Sequence, residues 1–173
     1  MTEIHIDPTL GPVLARTGDE RAVLDAFLDF HRAAVLRKAR GLTDAEASRR
    51  LVPSATTLAG LLRHLTLVER NWFPFLLDPT PGDVFPTTEE DAAASFTVPP
   101  GETLDALADA YERACVRSRE LAARFPLDRV VAHPQLGEVS LRWIMVHMIE
   151  ETARHAGHAD ILRELTDGST GAI

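Results

Sequence analysis

The sequence predicts an all-α fold, an antiparallel four-helix bundle, and three observations carry that expectation. Apolar residues recur at i, i+3 and i+4 through four long stretches, proline and glycine separate those stretches, and the strict alternation of a β-strand is nearly missing. The length suits a single domain, residues 1–173, with its core over about 18–166. At 45% hydrophobic and 25% charged residues, the chain can bury a core without disulfides or a structural metal.

Residues 1–16 hold Pro8, Gly11 and Pro12 and read as an irregular lead-in. Thr17 and Glu20 have the spacing of a capping box. Behind them Val23, Leu24, Phe27, Leu28, His31, Ala34 and Val35 form the stripe of a first long helix ending at Gly41. Thr43 and Glu46 repeat the box ahead of a short helical turn that stops before Pro53. The second long helix follows Ser54–Thr57, carries Leu58, Leu61, Leu62, Leu65, Val68 and Trp72 on its apolar face, and meets Pro74. Between the second and third long helices, residues 78–101 form a long Pro-rich crossover. It holds Pro79, Pro81, Pro86, Pro99 and Pro100, and the acidic run Glu89-Glu90-Asp91 reads as solvated loop. So long a connection often borders a functional site. The third long helix covers about 102–125, with Leu104, Leu107, Ala108, Tyr111, Cys115, Ser118 and Ala122 on one face and Pro126 beyond it. His133 to Glu138 is a turn with room for short extended arms. Ser140 is placed to cap the last long helix, about 141–166, and Gly168 to end it.

Eighteen basic against 26 acidic residues give a net charge of −8, which argues against nucleic-acid and anionic-membrane partners. No apolar run approaches the roughly 18 residues of a membrane span. Met1 to Pro8 lacks the build of a signal peptide, so the expected location is cytoplasmic. One cysteine excludes an intramolecular disulfide and any multi-cysteine metal site. Cys115 reads as a small core residue rather than a nucleophile, since nothing nearby in sequence would lower its pKa. His5, His31 and His133 read as structural or exposed. G-x-G and P-loop spacings do not occur.

The informative stretch is the last helix. At about 100° per residue, Ile144, Met148 and Leu162 mark its inward axis, and Glu151 and His155 fall about 20° to either side of it. His158 and His147 lie about 40° and 60° off that axis. Burying a carboxylate beside an imidazole is costly without compensation, and a divalent metal supplies it, because i, i+4 ligands reach one ion. A third ligand must come from another helix, and His64 stands among Leu61, Leu65 and Val68 rather than on the polar face with Arg63 and Arg70. Two histidines and one carboxylate leave positions open, as in catalytic rather than structural sites. The same spacing also serves an ordinary Glu–His hydrogen bond, and a single inward histidine is often a satisfied core residue. His158 and His147 are cleft-lining candidates. Arg154, a turn from His158, could meet an anionic substrate or pair with Glu150.

Two stretches resemble the DinB-like family, in its actinobacterial branch of mycothiol-dependent maleylpyruvate isomerases and thiol S-transferases. They are Thr57-Leu58-Ala59-Gly60-Leu61-Leu62-Arg63-His64-Leu65 with Glu69 and Trp72, and Leu141-Arg142-Trp143-Ile144 through His147-Met148-Ile149-Glu150-Glu151-Thr152-Ala153-Arg154-His155-Ala156-Gly157-His158-Ala159-Asp160. The resemblance implies a four-helix bundle holding a divalent metal by three residues. Carried over by position, these are His64, Glu151 and His155, the same set that helical spacing brings together. Many members have histidine where this chain has Glu151, and a His/Glu/His set is similar to that of the isomerases, where the ion is zinc. Nickel and manganese are alternatives. Relatives act on low-molecular-weight thiols, and dimers are common among them.

The function implied is a metal-dependent S-transferase that joins a mycothiol-like thiol to a small electrophile, in detoxification. His158, Arg154 and His147 are its candidate acid–base and substrate-contacting residues. The isomerases carry a further C-terminal domain, so this sequence, ending at Ile173, points to the shorter transferase-like members. The alternatives are a non-enzymatic, stress-related metal-binding bundle and a metal-assisted hydrolase or isomerase using the same ligands.

Overall fold

Short polar side chains set where the helices begin in the computed structural model, which describes residues 10–80 and 88–171. The readings of Met1–Pro8, His5, Pro81 and Pro86 lie outside the described residues. Helix α1 (Gly11–Leu14) is a single turn within the expected irregular lead-in. Pro12 fits there because the first amides of a helix have no intrahelical partner. Helix α2 (Glu20–Ala39) starts on Asp19, whose side chain accepts from the Ala22 amide at 2.8 Å, rather than on the expected Thr17–Glu20 box. Helix α3 (Asp44–Ala47) has the full box of Thr43 and Glu46. Thr57 caps α4 (Leu58–Trp72) by accepting from Gly60, and α5 (Pro74–Leu77) follows at once.

The connection after α5 is not all loop. Thr88 and Asp91 satisfy each other's free amides, so the acidic run opens helix α6 (Glu89–Ala94) instead of trailing through solvent. Thr103 caps α7 (Leu104–Ala122). The turn at His133 has arms: β1 (Val130–His133) pairs antiparallel with β2 (Gly137–Ser140), placing Val131 opposite Val139. Gly137 takes the positive φ of 78° that this tight turn demands. His133 supports the turn, its Nδ1 accepting from the Gln135 and Leu136 amides. Helix α8 (Leu141–Asp167) runs from the Ser140 cap to Gly168, which is left-handed at φ 78°.

Among the described residues, α2, α4, α7 and α8 are the long helices, at 20, 15, 19 and 27 residues. Helix α2 lies along α8 and α4 along α7, and α4 also touches α2 and α8. Their polarity follows from shared core residues. One apolar cluster joins Val35 and Ala39 late in α2, Leu58 and Leu61 early in α4, Leu104 and Leu107 early in α7, and Ala159 and Leu162 late in α8. The other joins Leu28, Val68, Ala122 and Ile144 from the opposite ends. Helices α2 and α8 therefore run parallel, as do α4 and α7, and the two pairs oppose each other. Ion pairs agree: Arg142 meets Glu20 at 2.6 Å at one end, and Lys38 meets Asp160 at 2.7 Å at the other. Two parallel neighbours cannot be joined by a short turn, which is why the α4-to-α7 connection is long.

Between the two clusters lies a charge. Arg32, 3% exposed, donates from Nε and a terminal nitrogen to both oxygens of Glu69, 1% exposed, at 2.8 and 2.7 Å. Phe27, expected to face inward, is exposed instead, and Arg32 takes an inward place on α2. No helix of the described residues is long and apolar enough to cross a membrane.

Candidate metal centre

Helices α4 and α8 touch where the apolar stripe of each is broken by a polar residue. His64 on α4 presents Nε2 to Glu151 Oε1 at 3.3 Å, and His155, one turn after Glu151 on α8, presents its own Nε2 to that oxygen at 3.1 Å. The three ligand atoms lie within 4.8 Å of one another. His155 is buried, while His64 and Glu151 are half-buried. The helical period explains the pairing: residues at i and i+4 stand one above the other, and Met148 and Leu162 keep that face turned inward.

The outer ring nitrogens are engaged as well. His64 Nδ1 is 2.7 Å from Ser95 Oγ, and His155 Nδ1 is 3.3 Å from His158 Nδ1. Partners on the outer nitrogens of metal-binding histidines fix the tautomer and turn the inner lone pairs towards the ion. The ring of Phe96 stacks on His64 at 4.1 Å and 11°. Hydrogen bonds from His155, and next from His64, hold the Glu151 carboxyl well below the ordinary carboxylate range, against the opposing effect of burial. An ionised carboxylate between two imidazoles is a donor set that fits zinc, nickel or manganese.

The other residues singled out in α8 are disposed differently. Arg154 is exposed, pairs with Glu150, and brings its second terminal nitrogen to 3.5 Å from Glu151 Oε2, the oxygen turned away from the histidines. His158 is exposed and joins the group only through His155, with burial and then the His155 ring lowering its pKa. His147 is not among the three. Its ring stacks on Trp143 at 5.3 Å, approaches Trp72 at 4.3 Å, and has its pKa lowered mainly by burial. Cys115 is buried, and that burial, reinforced by the Glu69 carboxylate, pushes its thiol up, away from the thiolate. A cavity of about 580 Å3 opens beside His64, walled by Arg63, Leu67, Asn71 and Phe75 from the α4–α5 side and by Asp91 and Ser95 from the α6 side.

Sequence reasoning missed Ser95, Phe96 and the Arg32–Glu69 pair. Arg32 had a signal, since it stands one turn from both Leu28 and Val35 on the buried face of α2. Thr88 and Asp91 have capping-box spacing and announce the helix that delivers Ser95. Nothing in the sequence pairs that helix with His64.

Against known proteins, the profile of the mycothiol-S-transferase family matches residues 23–168, a span that runs from within α2 through α8 and includes all three candidate ligands. None of the curated proteins compared matches the chain. Among solved structures, a conserved protein of locus from Enterococcus faecalis superposes with a TM-score of 0.59 at 18% identity, covering 87% of this chain and 98% of its own. At that identity the likeness is one of fold alone. The family match spans most of the chain: the protein belongs to the mycothiol-S-transferase family, a DinB-like family.

Proposed function

We propose that this protein is a divalent-metal-dependent S-transferase that joins a mycothiol-like thiol to a small electrophile. Its four long helices form a DinB-type bundle, and the α4-to-α7 connection is the crossover that walls the substrate cavity. The observation that carries the reading is the convergence of His64 Nε2, Glu151 Oε1 and His155 Nε2, with Ser95 and His158 on the outer nitrogens. Three donors are one fewer than a closed structural zinc site uses. When bound, zinc, or alternatively nickel or manganese, favours the thiolate form of a coordinated thiol at neutral pH.

The chain's own residues then have separable tasks. Glu151 supplies the negative charge of the ligand set, and Arg154, 3.5 Å from its outer oxygen, orients that carboxylate. The exposed His158 ring, neutral because its pKa is lowered, accepts the proton that the thiol loses and passes it to solvent. The cavity beside His64 is of a size that suits a small ligand, and its mixed apolar and polar wall suits a compact electrophile. His147, set among Trp72 and Trp143, lines the approach rather than handling the proton. Net chemistry breaks the thiol S–H bond and the bond from the electrophilic carbon to its leaving group, forms the S–C bond, and sends the proton to the departing group or to solvent. A reduced thiol as co-substrate places the activity in the reducing cytoplasm.

Turnover of an electrophile with added thiol tests this. Activity must require both thiol and metal and must vanish in Glu151→Ala with helical content kept. Turnover without thiol would make the protein a metal-assisted hydrolase or isomerase instead. Retained turnover in Glu151→Ala would remove the assigned site.

A further inference from the structure

The cavity beside His64 runs against the charge of the chain that forms it. The protein carries −8 overall, yet α4 gives this wall two guanidinium groups, Arg63 and Arg70, and the side-chain amide of Asn71. Arg63 and Arg70 are seven residues apart, so they stand nearly two turns apart in one row along the helix. His64 and Asn71 repeat that spacing in the next row, about 10 Å from end to end, and Leu67 lies between the rows.

Most of these donors are not engaged. Arg63 uses one terminal nitrogen on the carbonyls of Ala94 and Ser95, at 3.1 and 2.9 Å, and its Nε and other terminal nitrogen bond to none of the described residues. The side chains of Arg70, exposed, and Asn71, half-buried, make no hydrogen bond or ion pair among the described residues. Acids close to them are directed elsewhere. Glu69, the neighbour of Arg70 in sequence, is closed on Arg32. Across the cavity, Asp91 Oδ2 takes the amide and hydroxyl of Thr88 at 3.2 and 2.8 Å. A wall with a surplus of N–H donors, floored by Leu67 and Phe75, suits a ligand with an anionic end and a compact apolar body. Carboxylate is the best match, because guanidinium presents paired parallel N–H donors to its two oxygens.

From this we infer that the cavity is an anion-recognition pocket in which Arg70, with Asn71 and the remaining edge of Arg63, takes the carboxylate of a small acidic substrate. That substrate is the electrophile, an assignment that rests on the S-transferase reading above; the recognition of an anion does not.

The test begins with the full chain free of metal, so that no carboxylate binds through an ion. Succinate and its uncharged counterpart succinamide are titrated by NMR at low ionic strength, with the Asn71 side-chain amide signals as the local probe. Succinate must bind about 10-fold or more tightly than succinamide, shift the Asn71 signals, and weaken as salt is added. Arg70→Gln must abolish most of that preference, and Arg70→Lys, which keeps the charge but not the fork, must recover part of it. Both replacements are good helix formers at an exposed position, so the fold is kept. Failure of succinate to bind, equal affinity for the two probes, or a preference untouched in Arg70→Gln overturns the inference.

The substrate assignment is then read with metal and thiol present. The ratio of kcat/KM for 4-(chloromethyl)benzoate to that for its methyl ester must fall about 10-fold in Arg70→Gln, the loss of one charge-assisted contact. If Arg70→Gln instead lowers the ratio of N-acetylcysteine to its amide as thiol, the pocket serves the thiol and the electrophile assignment is wrong. If no thiol and electrophile turn over together, the proposed function falls, and the metal-free titration still decides whether the pocket recognises anions.

Discussion

Glu69 and Glu151 both occupy inward faces of long helices, yet Glu69 meets a guanidinium and Glu151 meets two imidazoles. Glu69 is closed on both oxygens by Arg32, and Asp29 takes a further nitrogen of that arginine at 3.0 Å. Arg32 carries a fixed charge, and the buried Glu69 carboxylate raises its pKa further against the cost of burial. The pair is complete and has no donor to offer a ligand. Glu151 is half-buried and shares one oxygen between two imidazoles, each facing it through Nε2, a nitrogen that can exchange its proton for a metal ion. A carboxylate matched by a permanent cation holds helices together. One matched by imidazole nitrogens, which can give up a proton to bind metal, is equipped to hold an ion.

That contrast predicts a hierarchy of effects. The largest is Glu69→Ala, which leaves Arg32 buried and unpaired and should cost about 3–5 kcal/mol of stability in urea unfolding. Zinc taken up per folded molecule should stay as in wild type. A loss under about 1 kcal/mol would mean that water replaces the carboxylate and that the pair is not structural.

Next in size is the response to metal. At a free concentration of 100 Kd, zinc should stabilise wild type by about 2.7 kcal/mol and leave Glu151→Ala unmoved, as thermal or urea unfolding can record. Without metal, Glu151→Ala should cost less stability than Glu69→Ala, since it strands no fixed charge. Equal stabilisation of both proteins would place the ion elsewhere.

Acid sharpens the same comparison. The Glu151 carboxyl is held below its ordinary range in the folded protein, by His155 first and His64 second, so its ionised form favours folding. That contribution is fully present above the unfolded carboxylate pKa of about 4.3 and is lost as pH falls towards the folded value. Metal-free wild type should therefore begin to lose its advantage over Glu151→Gln below pH about 4.3 and keep losing it as the pH falls further. A gap that stays constant or widens contradicts the assignment. The smallest effect belongs to the exposed pair of Arg154 with Glu150, where Arg154→Ala should change stability by no more than about 0.5 kcal/mol.

The juxtaposition of Glu151 with His155 was legible in the sequence because one helix makes it: the 3.6-residue period fixes which side chains share a face. His64 was legible for a weaker reason, as a histidine among leucines on α4. What escaped came from contacts across the fold. Ser95 and Phe96 belong to a connection without apolar periodicity, and only the close approach at Gly60 brings them to His64. The parallel pairing of α2 with α8 and α4 with α7 depends on which ends meet, which no local pattern encodes. Arg32 hid behind its charge, although its position on the stripe marked it as buried. Helix positions held to within a few residues because caps and breakers are local: Thr43, Thr57, Ser140 and Gly168 act where the chain places them.

Whether the Glu151 cluster holds a metal is read out by elemental mass spectrometry of tag-free protein purified without chelator. Wild type and His64→Ala are compared side by side, with Glu69→Gln as the control that keeps the other carboxylate site out of question. About one equivalent of divalent metal in wild type and in Glu69→Gln, with little in His64→Ala, is the expected result. Wild type that carries none, and takes up none from added zinc, nickel or manganese, would leave Glu151 as an ordinary buried partner of two histidines.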